Sequence, residues 1–190
     1  MSELADDVWV FGYGSLVSPT SLASTIGRRT GASDVCIATL SGYGRRWNYG
    51  SLHLRGDWRH GDAFVENGLV VSLGLTAEDD ATCNGVVVRV TSDELAMLDW
   101  RERDYQRTDV TDRIAADGPL TGPVVTYVPR PSAIERYQEA RDARRAAIRR
   151  SYWELVADAF AALGSDHAAA YATTPAPDVP VVEMSLSMLG

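Results

Sequence analysis

Two short stretches hold the residues best suited to doing chemistry together. The first is Val10-Phe11-Gly12-Tyr13-Gly14-Ser15-Leu16, where an apolar run ends in a Gly-Tyr-Gly-Ser turn just ahead of Ser18-Pro19. Glycine lets a ligand approach the backbone closely, and successive N–H groups beside a helix start can hold a carboxylate or a developing oxyanion. Read on its own, the turn serves equally well as a plain strand end. Two phosphate-binding readings fail on residue type. A dinucleotide fingerprint needs a third Gly at position 17, which is Val17, and a P-loop needs a Gly-Lys pair, which is missing.

The second stretch is Leu98-Asp99-Trp100-Arg101-Glu102-Arg103-Asp104-Tyr105. On a helix, Leu95, Leu98 and Glu102 fall at i, i+3 and i+7, so the Glu102 carboxylate continues an apolar stripe, while Glu94 and Arg101 lie nearer the water. Burying a carboxylate raises its pKa toward the range of a general base unless a cation compensates. The competing reading is a salt bridge to Arg45, Arg46 or Arg107, with the helix ending before Glu102. Asp99 and Asp104 are candidates of the same kind. A third stretch, "GYGRRWNYGSLHLRG", reads as a strand pair with packed aromatics and surface arginines.

Composition narrows the classes. The chain has 190 residues, a hydrophobic content of 45% and a net charge of -8, values of an ordinary globular protein rather than a nucleic-acid binder. All 18 basic residues are arginine, which excludes a P-loop lysine, a Schiff base and a Ser-Lys dyad. Cys36 and Cys83 fit no Cys-x-x-Cys spacing, and His53, His60 and His167 are scattered, so no metal-ligand cluster is expected. Ser15, Ser51 and the histidines offer no nucleophile–base spacing. No run approaches the roughly 18 apolar residues of a membrane span, and the acidic start "MSELADDVWV" lacks the basic region of a signal peptide. A cytoplasmic protein without a membrane partner is therefore expected.

The elements that must position these stretches can be read in outline. "VWVFGY" is a short buried strand. Ser18-Pro19 opens a helix that Gly27 stops. "VCIATLSGY" and "RRWNYGS" read as two strands joined at residues 41–44, and residues 55–67 as a loop. "GLVVSLGL" and "GVVVRV" are Val-rich strands separated by the turn "TAEDDATCN". A helix over residues 91–102 opens with a Thr91/Glu94 capping box. "YQRTDVTDRI" and "PVVTYVP" are strands. Residues 132–164 read as one long helix, with a Ser132/Glu135 capping box and Gly164 as the stop. Its interleaved Arg and Glu/Asp suggest a salt-bridged face. The tail from Thr173 reads as irregular. About seven strands and three helices predict one α+β domain over residues 1–190, with a core at about 8–130 and a C-terminal helical extension at about 132–164.

In order along the chain, "WVFGYGSL", "GYGRRWNYGS" followed by "LRG", "NGVVVRV" and "LDWRERDYQRTDV" resemble the γ-glutamylcyclotransferase superfamily, most closely its ChaC-type branch. The similarity covers about residues 8–128. The resemblance implies a small mixed β-barrel with flanking helices and one pocket. It also implies a reaction without metal or cofactor. The α-amine of a small γ-glutamyl compound attacks its own γ-carbonyl, releasing 5-oxoproline and an amine such as Cys-Gly or an amino acid. On this resemblance Glu102 is the catalytic acid/base. Tyr13, Gly14, Ser15, Leu16, Arg46 and Tyr105 bind substrate. The alternative is a non-catalytic member that holds a small acidic metabolite or a protein partner in the same pocket. The chain departs from the branch at "DWRHGDAFVEN", a longer connection, and lacks its C-terminal Ser-Gly-Pro-Asn segment, so the leaving group stays open.

Overall fold

The computed structural model describes residues 8–188; the acidic segment at residues 1–7, read above for export, lies outside the described residues. In chain order the strands are β1 (Val8–Gly12), β2 (Val35–His60), β3 (Ala63–Val90), β4 (Tyr105–Asp109), β5 (Ile114–Ala116), β6 (Val124–Pro129), β7 (Ala146–Arg149), β8 (Val181–Val182) and β9 (Ser185–Met188). The helices are α1 (Pro19–Ile26), α2 (Ser92–Arg101), α3 (Pro131–Asp142), α4 (Arg150–Ala162) and α5 (Ser165–Ala172). All nine strands join one mixed sheet, ordered β4-β6-β1-β3-β2-β5, with β7 and β8 continuing from β3 and β9 added to β2. It curls into a half-barrel flanked by helices, the α+β architecture expected.

β1 sits in the middle of this sheet, antiparallel to β3 and parallel to β6. Its position follows from composition. Val10 and Phe11 are buried, and so are Val86, Val87, Val88 and Val90 on the facing strand and Val124, so β1 reads as a continuous apolar strand covered on both sides. The chain then leaves the sheet at Gly12 and turns sharply. A Cβ on Gly12 would lie 2.8 Å from the Leu16 Cβ, so only glycine lets the turn fold back this closely. Ser18 then caps α1, its hydroxyl accepting from the Ser21 N–H, and Gly27 ends α1 with φ of 76°.

Several expected boundaries move. Residues 41–44 are no turn: β2 runs through them, with Gly42, at φ of 78°, marking a shift in the register with β3. Opposite it, the "TAEDDATCN" turn is a wide bulge within the continuous β3, where pairing steps from Ala77 to Thr82. The loop expected at residues 55–67 is the tip of the β2–β3 hairpin.

The single helix expected over residues 132–164 is α3, then β7, then α4. Arg144 takes a left-handed φ of 57° just past the α3 end. The Arg145 N–H donates to the Ala140 carbonyl and the Arg144 N–H to that of Arg141, which closes the helix. The apolar Ala146-Ala147-Ile148 that follows is buried and pairs parallel with β3. Nor does Ser132 cap α3; Arg130 stands at the cap and Pro131 at the first helical position. A further helix, α5, precedes Thr173, and the tail from Thr173 is partly regular, with β8 and β9. Among the described residues no helix is long and apolar enough to cross a membrane.

Candidate active site

The turn after β1 and the end of α2 meet in one pocket. Its lining includes Tyr13, Gly14, Ser15 and Leu16 on one side, Glu102 and Tyr105 on another, and Leu73, Tyr127 and Tyr152 around them. The pocket encloses about 330 Å³ including its open mouth.

α2 delivers Glu102. Thr91 opens the helix with the expected capping box: its side chain accepts from the Glu94 N–H, while the Glu94 carboxylate accepts from the Thr91 N–H. Fully buried Leu98 fixes the rotation of the helix. The last helical residue is Arg101, and Glu102 is the C-cap, its N–H donating to the Leu98 carbonyl. The helix thus stops one residue short of the expected end, yet Glu102 stays on the Leu98 face. Its side chain is 15% exposed. Desolvation pushes its pKa above the ordinary carboxylate value, and the nearby Arg101 guanidinium pulls the other way and loses.

Arg101 was expected nearer the water and is instead half-buried behind the pocket wall, against Glu102 and Ser15. Its Nε lies 3.0 Å from Glu102 Oε1. One Nη donates to the Ser15 hydroxyl at 2.7 Å and the other to the Thr25 hydroxyl at 2.7 Å. A single guanidinium therefore ties the carboxylate to the turn and to α1. Glu102 is both inside the pocket and paired with arginine, though not with Arg45, Arg46 or Arg107.

The turn presents backbone donors. Its first helical hydrogen bonds run from the Val17 N–H to the Gly14 carbonyl and from the Ser18 N–H to the Ser15 carbonyl. The amides of Ser15 and Leu16 precede those bonds and are not consumed by them.

The tyrosine hydroxyls are already committed as donors. Tyr13 donates to the Tyr127 carbonyl at 2.6 Å and Tyr105 to the Leu73 carbonyl at 3.0 Å. Their oxygens keep lone pairs as acceptors. Burial raises the pKa of both well above the usual phenol value and pushes Tyr152 up to about 12, so all three stay neutral. Tyr105 is held flat by stacking on Tyr49, with ring centroids 4.1 Å apart.

One expected residue is elsewhere. Arg46 does not line this pocket; it pairs with Glu78 at 2.5 Å beside a separate depression. Adjacent strand residues point to opposite faces, and here Arg45 points inward, 4% exposed, while Arg46 points out. Asp99 and Asp104 are also taken up outside the pocket. Asp99 accepts from Tyr127 at 2.8 Å and pairs with Arg107 at 2.5 Å, while Asp104 is clamped by Arg136. The sequence reading missed Leu73, Tyr127 and Tyr152, which arrive from strands and a helix distant in the chain; no local spacing marks them.

Comparison with known proteins gives the family and supports the fold. A family model described as ChaC-like protein matches residues 8–149. A solved structure described as a γ-glutamyl cyclotransferase superposes with a TM-score of 0.54 at 13% identity, over 90% of this chain and 89% of that one. A Homo sapiens protein gives the same score, identity and coverage. An Arabidopsis thaliana protein shares 24% identity over 72% of this chain and 67% of its own, with a TM-score of 0.46. No curated protein matches the sequence. The match to the family model spans most of the chain and contains both the turn and Glu102, so this protein belongs to the ChaC-like family of the γ-glutamylcyclotransferase superfamily.

Proposed function

We propose that the protein cyclises a small γ-glutamyl compound, releasing 5-oxoproline and the free amine. The observation that carries this reading is the Glu102 carboxylate, desolvated and raised in pKa, in one pocket with the turn Tyr13–Leu16. The substrate's α-ammonium, with a pKa near 8, must lose a proton before its nitrogen can attack. Glu102 accepts that proton, and the lone pairs of Tyr13 and Tyr105 receive the ammonium hydrogens. The amine nitrogen then bonds to the γ-carbonyl carbon, whose oxygen takes up negative charge beside the turn amides. When the old C–N bond breaks, Glu102 gives its proton to the leaving nitrogen. The cyclised nitrogen then sheds its surplus proton, which passes through Glu102 to the departing amine. The amine leaves as an ammonium ion, the lactam keeps one N–H and the carboxylate ends as it began. Proton transfer of this kind supplies about 10²–10⁴ in rate, and the donors on the oxyanion a further 10²–10³ each. No covalent enzyme intermediate is needed, in keeping with a pocket whose nucleophilic atoms are committed elsewhere.

The test is 5-oxoproline release from a panel of γ-glutamyl amino acids, γ-glutamylamines and glutathione, with Glu102→Gln as control. The amide cannot accept a proton, so full activity in that variant would remove the mechanism. The Arg101–Glu102 pairing favours a second reading, a member that binds γ-glutamyl or other small acidic metabolites without turning them over. Saturable binding with no product across the panel would select it. Free glutamate in place of 5-oxoproline would identify a hydrolase.

A further inference from the structure

Arg45 is a buried cation with no carboxylate partner among the described residues. It reaches the core from β2, and burial lowers its pKa below the usual guanidinium value. Its guanidinium carbon lies 4.6 Å from the Phe160 ring centroid and 5.1 Å from that of Tyr171. Every nitrogen is engaged. Nε donates to the Tyr13 carbonyl at 2.8 Å, one Nη to the Thr174 hydroxyl at 3.1 Å, and the other to the Asn84 carbonyl and to Asn84 Oδ1. Burying a charge this way is costly, and a chain that only needed to fill the space would place an apolar side chain here.

The bond to the Tyr13 carbonyl has a geometric consequence. The Tyr13–Gly14 peptide is trans, so its C=O and N–H point in opposite directions. Arg45 lines the depression between β2, β3 and the tail, not the active-site pocket, while Tyr13 and Gly14 line that pocket. Held from behind, the carbonyl faces Arg45 and the Gly14 N–H faces away from it. We propose that Arg45 is the positioning residue that locks this peptide, aiming the Gly14 N–H at the charge that develops on the substrate's γ-carbonyl oxygen. The role rests on the cyclisation reading above. Thr174 and Asn84 hold the guanidinium in turn, so the tail after α5 belongs to the same support.

Two variants separate orientation from charge. Lysine keeps the charge but places a methylene where Nε stood, leaving the Tyr13 carbonyl without its donor. Glutamine places an amide nitrogen at the Nε position but carries no charge. In the whole ¹⁵N-labelled protein, the residual dipolar coupling of the Gly14 N–H is measured against those of β1, together with kcat and KM. Arg45→Lys should displace the Gly14 coupling while the β1 couplings persist, and lower kcat about 10²-fold with KM within a few-fold. Arg45→Gln should keep the coupling close to wild type and lose about tenfold or less. The acidic limb of kcat/KM should stay in place in both, because Arg101 is the cation that acts on Glu102. A wild-type Gly14 coupling in folded Arg45→Lys overturns the proposal, as does lysine outperforming glutamine. If only one variant folds, its Gly14 coupling decides: displaced in lysine and retained in glutamine supports the proposal, and the reverse overturns it. If the wild type turns over no γ-glutamyl compound, the cyclisation reading fails, and the dipolar couplings still decide whether Arg45 orients the peptide.

Discussion

Glu94 and Glu102 stand at opposite ends of α2, both largely buried, and the fold gives them opposite acid strengths. Desolvation raises both. At Glu94 it is overcome: Arg28 donates to both carboxylate oxygens, at 2.5 and 3.1 Å, the Thr91 N–H adds a third bond, and the pKa falls below the ordinary value. At Glu102 a single arginine contact leaves the pKa raised. The helix itself widens the contrast, since its amino end favours an anion and its carboxyl end disfavours one. One glutamate is thus held as a fixed charge, and the other is left more ready to hold a proton. The difference lies in the number of donors aimed at each.

Removing each carboxylate in turn should break the comparison in opposite ways. Glu102→Gln is expected to lower kcat by about 10²–10⁴ with little change in KM, measured by 5-oxoproline release. Glu94→Gln should leave kcat within a few-fold and cost about 1–3 kcal/mol in a denaturant titration, because Arg28 loses its opposite charge and one of its two acceptor oxygens. A large loss of turnover from Glu94→Gln would show that the two ends are not separable.

Smaller effects sharpen the contrast. Replacing Arg101 by Met removes the one cation that lowers the Glu102 pKa, so the acidic limb of the kcat/KM profile should move to higher pH. An unmoved limb would mean that Glu102 does not set it. The smallest effect is on stability. The Glu102 pKa is raised on folding, so the folded state binds its proton more tightly than the unfolded chain. The stability this contributes is fully present below the unfolded value of about 4.5 and is lost as pH rises through the folded value. Glu102→Gln should therefore melt higher than wild type at neutral pH, by about 2–4 °C per kcal/mol recovered, with the gap closing toward pH 4.5. Glu94→Gln should melt lower at neutral pH, because a lowered carboxylate stabilises above its unfolded value.

How much of this was legible in the sequence depended on whether the controlling signal was local. The α1 and α2 starts were, because Ser18-Pro19 and the Thr91/Glu94 box act within one helical turn. The α3 end was not. Its left-handed position is Arg144, where the usual signal is glycine, so the apolar Ala146–Ile148 that follows passed for more helix. The β2 and β3 interiors misled for the opposite reason: Gly42 and the "TAEDDATCN" segment carry turn residues, and the long ladder absorbs them at one shift of register. In the site, glycine spacing and the apolar stripe drew attention to the turn and to Glu102, but each alone read equally well as plain structure, and only the resemblance joined them. Arg45 and Arg46 could not be ranked by type, since they differ only in which face of a strand each points to. Arg101 was misplaced because a helical wheel describes the angle of a side chain and not the reach of a guanidinium.

The hydrogen bond from Tyr13 to the Tyr127 carbonyl, and the place of Tyr152 over Gly14, have a consequence in time. The turn leaves the ribosome about 140 residues before Tyr152 does, a delay on the order of ten seconds or more at ordinary rates of synthesis. Until β6 and then α4 arrive, the turn has neither the carbonyl that anchors Tyr13 nor the ring that closes the pocket. A nascent chain that already carries the turn and Glu102 therefore lacks the assembled pocket, which is complete only when the last third of the molecule has folded onto the first.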